Sequence, residues 1–397
     1  AIAQVVHLPV LSQLEDVELV AVCDVDQPRA RAIASRFGIP NVWGNDDIVF
    51  QSDDVDAIII CSPNYLHEQQ AIAGLESGKH VLVEKPLAIT AEAAQRVIDV
   101  AERTGRTLMI AMNNRYRPDT MALRPFAQGG ELGHIFLTRG AWLNRKMRMV
   151  RPTWRHRRDT AGGGAMMDVG VQTLDLCLWM QGFPEAASVV THLHFPEGME
   201  VEDTAGIMVR LKNGSAVSLT VSWSLVAERD RHYMRMLGTR GSGAISPLAV
   251  YKEVETGQII DVTPSVSLGR ENLYTASYRQ ELTHFVNVCR GVEAEVDEGA
   301  GRRLHAAMHR FQHVLVLVEG HGCPGEHRRR HLGIVGALVA VLEPEVHRMI
   351  GIDRGHEIVG VVDKGGIRQT FVRPAGADRG IATIRGNGAL THHRRGV

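Results

Sequence analysis

Three residues at the end of one apolar run carry the sharpest chemical suggestion in the sequence. His80 to Val83 reads as a buried strand, and it stops in Glu84, Lys85 and Pro86. Pro86 cannot continue a hydrogen-bonded ladder, so the chain must turn there and present the lysine at the strand end. A lysine partly desolvated beside a bound ligand can lose its proton near neutral pH and act as acid or base. The plainer alternative is a surface Lys and Glu where a strand happens to end. A second group lies in GGGAMMDVGVQTLD (162–175). Asp168, Gln172 and Asp175 fall at i, i+4 and i+7, hence on one helical face. Met167, Leu174 and Trp179 make this helix apolar, so Asp168 is expected to face a pocket and Asp175 to be structural.

Other candidates sit where apolar runs end. Asp24 closes VELVAVCD (17–24). In a dinucleotide-binding unit an acid there receives the adenosine ribose hydroxyls, and its charge repels a 2′-phosphate. Alone, it reads equally well as a helix cap or a solvated turn acid. The glycine-rich turn of such a unit would lie just before residue 1, with Ala3 as the small residue that lets the first helix pack on the sheet. CSPNYLH (61–67) brings Ser62, Asn64 and His67 to the end of the next run, where ligands of open α/β sheets bind. As a lone motif it is also ordinary capping. Trp154, Arg155 and His156 in PTWRHRRDT can line a substrate mouth or simply be surface.

These residues need elements to hold them. VELVAVCD, VDAIIICS (55–62), HVLVE (80–84) and TLMIAM (107–112) are continuous rather than alternating apolar runs. Helical stretches at 27–38, 67–78 and 90–105 separate them. That pattern predicts a parallel sheet covered on both faces. After Asn113 the pattern changes. Alternating strands over 201–225 flank Asn213-Gly214, a hairpin signal, and further strands are expected at 134–143 and 233–245. A helix entered through three glycines (162–182) and another over 273–291 complete an α+β half. The expected division is therefore 1–113, 114–319 and an atypical tail, 320–397.

That tail holds 15 of the 40 glycines, 12 Arg plus Lys against 7 acids, and a single aromatic of the Phe, Trp and Tyr set, Phe371. Its charge admits a basic partner-binding tail and its histidines a metal, but too few aromatics for a core make a disordered or mistranslated end the expectation. Over the whole chain of 397 residues, 44 Lys plus Arg balance 45 Asp plus Glu, which suggests neither nucleic acid nor membrane. No apolar run approaches the ~18 residues of a membrane span. Five scattered cysteines without a CxxC pair argue against a zinc site or disulfide framework and for a reducing compartment. No metal is expected.

In order and spacing, IAQVVHLPVL, VAVCDVD, CSPNYLHEQQA, VEKPLA, NNRYRP and GGGAMMDVGVQTLD resemble the glucose–fructose oxidoreductase, inositol dehydrogenase and rhizopine-catabolism (Gfo/Idh/MocA) family. The likeness runs from residue 1 to about 312. It implies an N-terminal Rossmann domain, here without its first strand, followed by an open, mostly antiparallel sheet that often makes the oligomer contact. It also implies hydride transfer between a nicotinamide cofactor and a sugar or polyol. Asp24, with no arginine immediately after it to hold a 2′-phosphate though with Arg29 close by, makes NAD the expected cofactor over NADP. Lys85 matches the usual catalytic lysine, Glu84 lies near the nicotinamide ribose, and Asp168 matches the substrate-side aspartate. With the pyrophosphate turn missing, the chain as given is expected to bind cofactor poorly. Where many relatives carry histidine, this chain has Gln172, which orients a hydroxyl but cannot titrate. The proton must then pass through Lys85. A homo-oligomer in the cytoplasm is expected, a signal peptide ahead of residue 1 remaining compatible. Rival expectations are NAD-dependent glycoside cleavage with transient redox, and a non-catalytic NAD-binding sensor or subunit.

Overall fold

The computed structural model describes residues 2–146, 153–269, 271–293, 356–363, 366–374, 382–385 and 389–392. The chain divides into two compact units, Ala1–Gln312 and His313–Val397.

The first unit opens with a π-helical stretch, Ala3–His7, that runs into α1 (Leu8–Leu11). Strand and helix then alternate: β1 (Ala21–Cys23), α2 (Gln27–Phe37), β2 (Asn41–Trp43), α3 (Asp46–Gln51), β3 (Ala57–Ile60), α4 (Asn64–Glu76), β4 (His80–Glu84), α5 (Ala91–Thr104) and β5 (Leu108–Ala111). Caps written in the sequence set these helices. Asp26 accepts the Arg29 N–H at the start of α2, Thr90 accepts the Ala93 N–H at the start of α5, and left-handed Gly38 and Gly105 end the two helices.

All strand pairs here are parallel, but they form two separate sheets, β1–β2 and β3–β4–β5. Val81, Leu82 and Val83 of β4 are all fully buried. Val81 and Val83 pack with Ala71 and Leu75 of α4 and Val97 and Ile98 of α5, whereas Leu82 packs with Val10 and Leu11 of α1. Burial on both faces is why β4 reads as an unbroken apolar run.

A 3₁₀ turn (Asn113–Tyr116) leads to α6 (Pro118–Gln128) and β6 (Ile135–Arg145). Next come a 3₁₀ turn (Trp154–His156), α7 (Arg158–Ala161), a π-helical stretch (Met166–Gly170) and α8 (Val171–Trp179). Then follow β7 (Ala186–His194), β8 (Thr204–Leu211), β9 (Ala216–Leu225), β10 (Arg231–Gly238), β11 (Gly241–Ile245), β12 (Ala249–Glu253), β13 (Ile259–Asp261) and α9 (Leu273–Cys289). The strands form one sheet in the order β13-β12-β11-β10-β6-β9-β8-β7, in which only β6–β9 is parallel.

The inner face of this sheet, including Val209, Leu219, Met234 and Met236, packs on Leu174, Cys177 and Trp179 of α8. A side chain at Gly140 of β6 would lie 2.8 Å from Thr173 and 2.9 Å from Cys177, so only glycine lets the helix sit this close. Gly214, at φ 86°, supplies the hairpin turn expected at Asn213-Gly214. The single strand expected over 233–245 is two, β10 and β11, joined by a tight turn at Thr239 and Arg240. Leu282 and Phe285 of α9 pack with Leu82, Met109 and Ala111, so the two expected halves share a core.

In the second unit, β14 (His356–Asp363), β15 (Gly366–Pro374), β16 (Ala382–Arg385) and β17 (Ala389–His392) pair in that order, all antiparallel. Four strands are thus described within a stretch expected to hold no folded element; the rest of that tail lies outside the described residues. Among the described residues no helix is long and apolar enough to cross a membrane.

Candidate active site

The turn after β4 and the helix after the glycine run meet. Lys85 Nζ donates to Asp168 Oδ1 at 2.8 Å and to the Asp168 backbone carbonyl at 2.7 Å. Trp223 of β9 holds the other carboxylate oxygen, its indole N–H donating to Oδ2 at 3.2 Å. The Lys85 side chain is 17% exposed and that of Asp168 35%, so the pair is partly open to solvent rather than sealed in the core. Burial works to raise the Asp168 carboxyl. The Lys85 charge and hydrogen bond, then Arg155 and the Trp223 N–H, outweigh it and hold the group below the usual carboxylate range. Asp168 is therefore a fixed negative charge at neutral pH.

Glu84 is turned the other way. Its Oε1 bonds to His7 Nε2 at 2.8 Å, and its Oε2 accepts the Lys85 backbone N–H at 3.3 Å. The Lys85–Pro86 peptide is cis, and the Pro86 carbonyl lies 2.6 Å from His67 Nδ1. His67 Nε2 is 2.9 Å from the Ser62 carbonyl, so this histidine, 1% exposed, lies between the β3 and β4 end-loops and, as a neutral imidazole with one N–H, donates to one of the two carbonyls. Burial holds its imidazole below the ordinary value, against the pull of the two carbonyls.

The remaining predicted residues have contacts of their own. Ser62 Oγ donates to Gln70 at 2.6 Å, and Asn64 Nδ2 donates to the Ala161 carbonyl at 2.9 Å. Gln172 is not bonded to Lys85 or Asp168. It is 5% exposed, and its amide pairs with Asn114 and Asn113, each at 3.4 Å. Asp175 is 1% exposed and takes two bonds from Arg115, at 2.7 and 2.5 Å. Arg155 stacks on Trp154, 4.4 Å from the ring centre, and His156 meets the edge of Trp223 at 6.2 Å. Ala3 is half-buried in the opening helix.

Asp24 stands at the end of β1, where Oδ1 accepts the Asp26 N–H and both oxygens meet Arg29 Nη2 at 2.9 and 2.8 Å. Its side chain is 28% exposed and that of Arg29 52%, so the pair is solvated and easily exchanged. Asp24, a part-exposed carboxylate at the carboxyl end of a parallel strand, is an acceptor of the type that ribose hydroxyls require, whereas both oxygens of Glu84 are already engaged by His7 and the Lys85 N–H. No group of three or more His, Cys, Asp or Glu is placed to hold a metal among the described residues.

Two residues with a hand in the site gave no sequence signal. Trp223 reaches Asp168 across 55 positions of chain, and Glu202 accepts the N–H groups of Gly164 and Met166 at the start of the Asp168 helix. Both sit in strand-like text with nothing local to distinguish them.

Fold and site together define a nicotinamide-dependent Rossmann oxidoreductase with an open-sheet second half. A family model described as an oxidoreductase family with an NAD-binding Rossmann fold matches residues 1–112, and one described as the GFO/IDH/MocA C-terminal domain matches residues 120–243. The chain belongs to the Gfo/Idh/MocA oxidoreductase family. It is 29% identical over 270 residues to D-glucoside 3-dehydrogenase of Escherichia coli, covering 64% of this chain and 76% of that protein. It is 32% identical over 243 residues to an uncharacterized oxidoreductase, ORF334, of Rhizobium meliloti, covering 61% and 70%. Among solved structures, levoglucosan dehydrogenase in complex with NADH and levoglucosan superposes with a TM-score of 0.66 at 21% identity, over 77% of this chain and 92% of that one. That likeness is one of fold.

Proposed function

We propose that this protein oxidises a secondary hydroxyl of a sugar or polyol, with NAD as hydride acceptor and Lys85 as the acid/base. The observation that carries the reading is the Lys85–Asp168 contact: an amine at a strand end, bonded at 2.7 and 2.8 Å to a residue of the facing helix. Asp24 would hold the adenosine ribose, with Glu84 near the nicotinamide ribose, and the Asp24 charge disfavours a 2′-phosphate, hence NAD over NADP. Ser62, Asn64 and Ala3 border that region. His67, seated between the Ser62 and Pro86 carbonyls, acts by packing the loops in place. Bound there, the nicotinamide ring supplies the hydride acceptor or donor.

The chain's own residues handle the proton. Unprotonated Lys85 takes the substrate hydroxyl proton as the carbinol carbon becomes a carbonyl, and Asp168 stabilises the ammonium that forms. Gln172 orients the substrate. Its two bonds to asparagines are at the long end of hydrogen-bond range, so exchanging one for a hydroxyl costs little. Trp154, Arg155 and His156 border the substrate side. Positioning of this kind can supply ~7–11 kcal/mol, more than acid/base catalysis alone. A homo-oligomer through the outer sheet face is part of the same reading. A cytoplasmic setting suits Cys23, Cys61 and Cys177, which form no disulfide among the described residues.

The test is NADH formation from NAD and a panel of glucosides, free hexoses and inositols, with NADP run in parallel. Net NADH from at least one sugar, with NADP slower, supports the reading. Cleavage of a glycoside without net NADH would replace it by transient redox. Tight NADH binding without turnover would make the protein a sensor.

A further inference from the structure

We propose that Glu202 is a positioning residue for Lys85, acting through the backbone that carries Asp168. One of the two oxygens holding Lys85 Nζ is the Asp168 main-chain carbonyl. Wherever that helix backbone sits, the amine follows. The start of the helix is gripped by a single carboxylate. Gly164 N–H donates to both oxygens of Glu202 at 3.0 Å, and Met166 N–H donates to Oε1 at 2.9 Å. Ala165 N–H donates to the Glu202 backbone carbonyl at 2.9 Å, and Asp168 N–H in turn donates to Gly164 O at 3.0 Å.

Three consecutive N–H groups of a first helical turn are therefore all satisfied by one residue, itself 2% exposed. Its grip is close enough that a Cβ on Gly164 would lie 1.8 Å from the Glu202 carbonyl oxygen. The next residue works on the same target from the other side: Trp223 N–H donates to the Asp203 carbonyl at 2.8 Å, and the Trp223 indole holds Asp168 Oδ2. On the far flank, Gly162, at φ 80°, packs so tightly that a Cβ would meet the Ile89 carbonyl at 2.8 Å, four residues past Lys85. The glycine run is thus pinned between the lysine's own loop and Glu202. Glu202 touches neither Lys85 nor any reacting atom, and its effect must travel through the main chain.

The proposal rests on Lys85 and Asp168 being the working pair, yet its test needs no substrate. Acetylation of each lysine by acetic anhydride is followed by peptide mass spectrometry in the full chain. An amine bonded to two oxygens acylates slowly. In Glu202→Ala, Lys85 should label about tenfold faster, the worth of one charge-assisted hydrogen bond, with Lys79 and Lys212 unchanged. Glu202→Gln, which keeps an acceptor for Gly164 and Met166, should return Lys85 to within about twofold of wild type. If the alanine variant does not fold, Glu202→Asp decides: one methylene shorter, it withdraws the acceptors and should speed Lys85 about threefold. Unchanged Lys85 labelling in a folded Ala or Asp variant, or an equal rise at all three lysines, would overturn the proposal. Absence of sugar oxidation by wild type would instead count against the reading of function and leave this result standing.

Discussion

Three oxygens of Asp168, two of the carboxylate and one of the backbone carbonyl, each accept one hydrogen bond, and each contact limits what Lys85 can do. The carboxylate and the carbonyl hold the amine, and the Trp223 indole keeps the carboxylate from rotating away. Trp223→Phe keeps the ring and removes the N–H. It should lower kcat about tenfold, the equivalent of one charge-assisted hydrogen bond, while the NADH dissociation constant stays within about twofold. Steady-state kinetics beside an NADH fluorescence titration checks it; a loss confined to NADH affinity would remove Trp223 from the substrate side. At this scale the sequence was informative where chemistry sits next to a break in pattern. Lys85 follows a strand that Pro86 stops, and Asp168 follows three glycines. Trp223 and Glu202 were illegible because their partners are 55 and 36 to 38 positions away, a separation that no local spacing encodes.

Among the elements, α9 links the second half of the unit to the first, and it does so with a buried acid. Glu281 is fully buried and neither carboxyl oxygen has a hydrogen-bond partner among the described residues. Burial first, then the Glu84 charge, push its carboxyl well above the usual range, with Arg115 opposing. A carboxyl raised in the folded state stabilises fully below its unfolded value of about 4.3, and that contribution is lost as pH rises toward the folded value. Wild type should therefore lose stability on that rise with a slope of up to about 1.4 kcal/mol per pH unit, and Glu281→Gln should flatten the slope. Urea unfolding from acid to neutral pH measures it; parallel slopes for the two proteins would show that Glu281 does not titrate differently on folding. The elements themselves were readable where apolar runs are long. HVLVE and β4 share both ends, and the helix expected over 90–105 is α5 at Ala91–Thr104. Short elements escaped, β2 among them, because three residues carry no period. The helix expected as one piece over 162–182 begins as a π-helical stretch, a local widening that the sequence pattern does not mark.

At the scale of the whole unit, the eight-stranded sheet has one face in the core and one outside. Phe136 on β6, Val190 on β7, Met208 on β8 and Leu237 on β10 are 39–58% exposed on their strands, with Met208 paired directly to Val190. An apolar sheet face of this kind is what a second copy would cover. Phe136→Asp combined with Met208→Asp should shift the protein from oligomer to monomer in sedimentation analysis, with fold and NADH binding retained. A wild type that sediments as a monomer would end that part of the proposal. Fold class was legible because continuous and alternating apolar runs separate cleanly at about Asn113. The shared core was not, because Leu282 and Phe285 meet Leu82 from 200 positions away.

The central claim is that Lys85 carries the proton in a hydride transfer to NAD. Its most direct test is a single-turnover measurement of NADH appearance, with the best sugar of the panel, in wild type and in Lys85→Ala. The alanine variant should lose about 10²–10⁴ in rate while binding NADH within a few-fold of wild type. An unchanged rate in Lys85→Ala would contradict the assignment of the lysine and, with it, the mechanism.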